Sequence, residues 1–108
     1  MTVDELVAKW RLNPRCGVSI RDGWAPLVDA LIESLVALGM DPAKDVAQIK
    51  EKLGGLRFYL ETGTRPMFTV IDAAEEASFK TCEVCGAPGR IQPGDWIRVR
   101  CDACKEDK

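Results

Sequence analysis

The sequence predicts an α+β fold. A small helical domain with a short antiparallel sheet spans residues 1–80, and a C-terminal cysteine module spans 81–108 and packs on it. Three observations carry this prediction. Apolar residues recur at helical spacing through most of the first 80 positions. Two short segments, 56–60 and 96–100, alternate with a period of two. Four of the five cysteines fall in two Cys-x-x-Cys pairs beyond residue 80.

The first helix opens at Thr2. Thr2 and Glu5 have capping-box spacing, in which each side chain satisfies the other's backbone N–H. Leu6, Val7 and Trp10 form its apolar face, and Asn13-Pro14 ends it, because the residue before proline avoids the helical region. Residues 13–23 read as a loop. Pro26 suits the first turn of a second helix, where its missing N–H costs nothing. Leu27, Val28, Leu31, Ile32, Leu35, Val36 and Leu38 then form the strongest apolar stripe in the chain, with Asp29 and Glu33 on the opposite face. Gly39 is the expected C-terminal cap. This helix is expected to be the centre of the core.

Asp41-Pro42 is expected to start a third helix carrying Val46, Ile49 and Leu53, stopped by Gly54-Gly55. Leu56–Leu60 follows as a strand, with Leu56, Phe58 and Leu60 on one side and Arg57 and Tyr59 on the other. After a turn over 61–66, a fourth helix is expected from Met67 to Phe79. Val70, Ile71, Ala74 and Ala77 face inward, and Asp72, Glu76 and Lys80 face solvent. Trp96–Arg100 is the second alternating strand.

Composition narrows the function. The chain has 108 residues, 46% hydrophobic and 30% charged, which fits a soluble globular domain. No apolar run approaches bilayer length. Met1–Leu12 is amphipathic, with Asp4 and Glu5 near its start and no basic start followed by an apolar block, so it does not read as a signal peptide. A cytoplasmic protein is expected, where clustered cysteines bind metal more often than they pair. Formal net charge is −2, with ten basic and twelve acidic residues up to Thr81 and five of each beyond. That balance opposes non-specific phosphate binding. Histidine is absent, which removes Ser-His and Cys-His catalysis and His-ligated catalytic metals. No phosphate-binding glycine motif and no nucleophile–base pair is visible, so no enzymatic activity and no small-molecule substrate are expected.

Cys82-x-x-Cys85 and Cys101-x-x-Cys104, separated by 15 residues, match zinc-ribbon spacing. Two residues between cysteines let one tight turn aim both sulfurs at one ion, and Gly86 permits the positive φ such turns often require. Four thiolates close a tetrahedral shell and leave no place for a reactive water, so one structural Zn²⁺ is expected. Two disulfides, a redox Cys-x-x-Cys and an iron–sulfur cluster are the alternatives. Cys16 stands apart and reads as a small buried thiol, with a reactive thiol as the sharper alternative.

Alternation in the last strand would put Ile97 and Val99 in the core and Trp96, Arg98 and Arg100 outside, with Arg90 near. If 56–60 lay in the same sheet, Arg57 and Tyr59 would extend that patch. Trp, Tyr and Arg dominate binding hot spots, and the same set can stack on single-stranded nucleic acid. The plainer alternative is that the arginines pair with carboxylates and Trp96 covers the ribbon.

The segment Val46–Tyr59 (VAQIKEKLGGLRFY), the run AAEEAS at Ala73–Ser78, and TCEVCG at Thr81–Gly86 resemble small zinc-ribbon proteins of bacteriophages and prophages. The resemblance covers a little over half of the chain. It implies a zinc ribbon and a phage-associated origin, hence the cytoplasm of a bacterial host. Many small phage accessory proteins bind a host protein, including defence nucleases. The expected function is therefore binding of a host protein, with inhibition of a defence system as one form. The alternative is a nucleic-acid-binding regulator or processing factor.

Overall fold

A computed structural model describes residues 1–106. In chain order its elements are α1 (Val3–Trp10), β1 (Gly17–Ser19), a 3₁₀ turn (Asp22–Trp24), α2 (Ala25–Ala37), α3 (Pro42–Asp45), β2 (Val46–Lys52), β3 (Gly55–Leu60), α4 (Arg65–Ser78), β4 (Arg90–Gln92) and β5 (Arg98–Arg100).

The capping box forms. Thr2 Oγ1 accepts the Glu5 N–H at 3.1 Å, and Glu5 Oε1 accepts the Thr2 N–H at 2.9 Å. α1 ends before Asn13-Pro14, because Arg11 takes a left-handed conformation with φ 51° and its N–H turns back to Ala8. Leu6 is fully buried. α1 is fastened to α2 through Asp29, which accepts Trp10 Nε1 at 2.8 Å and pairs with Lys9 at 2.9 Å. Burial pushes the Asp29 carboxyl up, but its bonds from Lys9 and Trp10 outweigh that and hold it below the ordinary range.

α2 carries the centre of the core, with Val28, Leu31, Ile32 and Leu35 all buried. Gly39 ends it at φ 100°, donating to Val36, while the Met40 N–H reaches Leu35. These two bonds form the Schellman motif and satisfy carbonyls the helix leaves open. α4 packs on both α2 and β3. It turns Met67, Ile71 and Ala74 inward and leaves Asp72, Glu76 and Lys80 exposed.

The third helix is a correction. Asp41 caps a helix, its Oδ1 accepting the Ala43 N–H at 3.1 Å, but that helix stops after Asp45. From Val46 the chain is strand. The β2–β3 register shifts between Val46 and Gln48, so Ala47 is an extra, bulged residue. A bulge lets two residues oppose one. Val46 and Ile49 therefore both reach the core although their spacing is that of a helix. Gly54-Gly55 does not stop a helix either. Lys52 pairs with Gly55 across a two-residue turn, Leu53-Gly54, with φ 54° and 87°. Positive φ at both positions is the type I′ hairpin geometry.

The 13–23 loop is a second correction. Gly17–Ser19 pairs in parallel with Gln48–Lys50, so the first sheet has the order β1-β2-β3 and is mixed rather than purely antiparallel. β4 and β5 form a separate antiparallel pair, Arg90 opposite Arg100. The α+β class and the cysteine-bearing C-terminal hairpin stand as the sequence predicts.

Candidate metal centre

Each Cys-x-x-Cys closes a tight turn. The Gly86 N–H donates to the Cys82 carbonyl at 2.9 Å with Gly86 at φ 83°, and the Cys104 N–H donates to the Cys101 carbonyl at 3.1 Å. The β4–β5 hairpin lies between the turns and brings them face to face. All four sulfurs lie within 4.8 Å of one another, and Cys85 and Cys101 Sγ are 3.6 Å apart. A tetrahedron of sulfurs 2.3 Å from one ion has edges of about 3.8 Å. The four thiols are free, not disulfide-bonded, so the arrangement can hold one metal ion.

The electrostatics agree with that use. Burial pushes the Cys82 thiol up, but N–H donors from Cys101, Cys85 and Val84, with the Cys85 side chain, hold it down to about 6. Cys104 goes the other way, to about 12, chiefly because of the Cys101 side chain and then desolvation. Neighbouring thiols of one cluster are thus drawn in opposite directions. Held by all four sulfurs, a divalent cation would displace the thiol protons and offset the thiolate charge.

The first turn is seated on the start of α2. The Gly23 N–H donates to the Glu83 carbonyl at 2.8 Å, and Trp24 Nε1 donates to the Thr81 carbonyl at 2.8 Å. A Cβ on Gly23 would lie 2.4 Å from the Cys82 carbonyl oxygen. That leaves no room for a side chain, so glycine there is required by contact and not by φ. Between the turns, Glu83 and Arg100 form a buried ion pair with Nε to Oε2 at 3.0 Å.

That pair corrects the expected outer face. Arg100 is only 2% exposed. Arg98 is half-buried and donates to the Lys105 carbonyl at 2.9 Å. Strand β5 begins at Arg98, which is held by the segment after the second cysteine turn, and Arg100 turns toward the first, where Glu83 supplies the counter-charge. Val99 is fully buried as expected, but Ile97 lies outside the strand and is exposed. Arg90 remains outside and pairs with Asp102 at 2.8 Å. Arg57 pairs with Glu75, and Tyr59 is exposed near Lys50. Both sit in the other sheet, so they do not extend the β5 face. Cys16 packs in the core, and burial pushes its thiol up.

Trp96 is widely exposed, at 62%. It borders a depression of about 470 Å³ together with Arg21, Arg100, Glu83 and Val18, and a smaller one with apolar neighbours. Leu53, Trp96 and Ile97, with Glu51 and Asp95, line this smaller depression of about 220 Å³, and Ile97 lies against Gly54 of the β2–β3 turn. Sequence reasoning missed Leu53, Gly23 and Glu83. The Lys-Leu-Gly-Gly run around Leu53 was the available signal, because a hairpin turn there leaves its leucine no partner in the core.

Comparison of the chain with protein-family models, with curated proteins and with solved structures finds no match.

Proposed function

We propose that this chain is a non-enzymatic, zinc-binding accessory protein that acts by docking on another protein. The observation that carries the reading is the exposed apolar group Leu53, Trp96 and Ile97. Leu53 is 65% exposed and holds a left-handed backbone. That conformation costs a non-glycine residue about 1–2 kcal/mol, and an exposed leucine recovers nothing by burial. The hairpin turn accounts for this backbone, but such turns favour Asn, Asp or Gly; an interface accounts for a leucine in that place. Trp96 beside it is the residue type most enriched at binding hot spots.

Zinc is the ion that four thiolates in a closed tetrahedral shell fit best. Such a shell leaves no open position for a substrate, and the chain has no histidine. The resemblance to phage and prophage proteins makes a bacterial host protein in the cytoplasm the expected partner, and a component of a defence system is one candidate. The nucleic-acid alternative loses support, because Arg100 is buried with Glu83, Arg98 bonds Lys105 and Arg90 bonds Asp102.

The test is affinity capture from host lysate, with and without nuclease, using the wild-type chain and Trp96→Ala. The expected result is a protein retained by wild type, insensitive to nuclease and lost from a folded Trp96→Ala variant. Capture abolished by nuclease returns the nucleic-acid reading, since phosphate contacts dominate that kind of affinity. Equal capture by Trp96→Ala removes this surface from the interface.

A further inference from the structure

We infer that the buried Glu83–Arg100 pair is a positioning device that fixes the two cysteine turns relative to each other. This inference rests on the proposed metal reading. Glu83 follows Cys82, and Arg100 precedes Cys101, so each charge belongs to a different turn. Arg100 Nε donates to Glu83 Oε2 at 3.0 Å, and its Nη1 reaches the Cys104 carbonyl at 3.4 Å. One guanidinium thus spans both turns.

The backbone repeats the link. The Glu83 N–H donates to the Val99 carbonyl at 3.1 Å, and Gln92 Nε2 donates to the Arg100 carbonyl at 2.8 Å. Gly23 holds the Glu83 carbonyl from the α2 side. Glu83 is therefore tied through its N–H, its carbonyl and its carboxylate at once.

Stability alone does not explain such a pair. Both side chains are nearly fully buried, and desolvating two charges commonly cancels their attraction, so apolar residues of similar volume often serve as well or better. An apolar pair cannot reproduce the forked contact to a carboxylate in one turn and a carbonyl in the other. What the ion pair adds is geometry: it fixes the distance between Cys82 and Cys101. Groups that orient metal ligands in this way typically contribute 10–100-fold in metal affinity.

The test is competition for Zn²⁺ between a calibrated chelator and the full chain, with the visible spectrum of the Co²⁺-loaded protein as a second readout. The chains compared are wild type, Arg100→Lys and the double variant Glu83→Leu/Arg100→Met. The expected result is about 10–100-fold weaker zinc binding in both variants, with an altered Co²⁺ spectrum and helical content unchanged at saturating zinc. A variant that folds only at raised zinc supports the inference through the same titration. Wild-type affinity in both variants overturns it while the metal reading stands. Wild-type affinity in Arg100→Lys alone also overturns it, because charge without the fork would then suffice. A double variant that stays unfolded at saturating zinc assigns the pair to the fold and overturns it too. A wild-type chain that binds no metal removes the metal reading itself.

Discussion

The helical core and the cysteine module fix their backbones by opposite means. The core is apolar and layered: Leu6, Trp24, Val28, Ile32, Leu35, Ile49 and Leu56 are nearly or wholly removed from water. Among its described residues the module buries two hydrophobic ones, Cys82 and Val99, beside three polar ones, Glu83, Gln92 and Arg100. Burial of apolar surface therefore explains the first region and leaves the second under-supported. Hydrogen bonds and four converging sulfurs take over there. The two regions meet where Gly23 and Trp24 hold the first cysteine turn.

Removing the metal should separate the regions most strongly. Apparent zinc-binding energies for small structural sites are about 10–16 kcal/mol at neutral pH. Chelation, or Cys85→Ser, should disorder residues after Thr81 while the α1, α2 and α4 helices persist. Far-UV circular dichroism with amide hydrogen exchange checks this. Loss of helix and hairpin together would mean that the core cannot stand without the module.

Leu35→Ala is the matching cut in the core. Leu35 is fully buried on α2, so the change should cost about 2–5 kcal/mol through lost transfer energy and the cavity left behind. Thermal unfolding should show a lower midpoint with metal content still near one ion per chain. A variant that loses its metal at room temperature would show the module to be a passenger of the core.

Gly23→Ala strikes the seam. Because the methyl would meet backbone rather than a movable side chain, the change should cost at or above the upper end of the usual range of about 1–3 kcal/mol for forcing extra atoms into a packed site. The new methyl would press on the carbonyls of Cys82 and Glu83. The loss should appear in both regions, as a lower unfolding midpoint and faster chelator-driven metal release. An effect confined to one of them would show that the contact does not couple the two.

These regions also differ in how openly the sequence displayed them. The Thr2–Glu5 cap, the α2 stripe ending at Gly39, the 56–60 alternation and the Cys-x-x-Cys spacing were all legible. Each depends on residues a few positions apart, or on ligand chemistry that permits few spacings. β2 was not legible, because a bulge at Ala47 gave a strand the spacing of a helix. β1 was not legible either, since three residues carry no period and become a strand only beside Gln48–Lys50.

The amino-acid order by itself thus determined the helix ends, the apolar stripe of α2 and the four sulfur donors. Their causes are local backbone geometry, side-chain periodicity and the chemistry of thiolates. Tertiary structure alone decided which charges are buried and which apolar residues are left outside. Arg100 enters the interior because Glu83, seventeen positions earlier, meets it there. Leu53 stays in water because a two-residue turn carries it away from the core that Ile49 joins. Burial depends on which distant segments converge, and no short-range pattern records that.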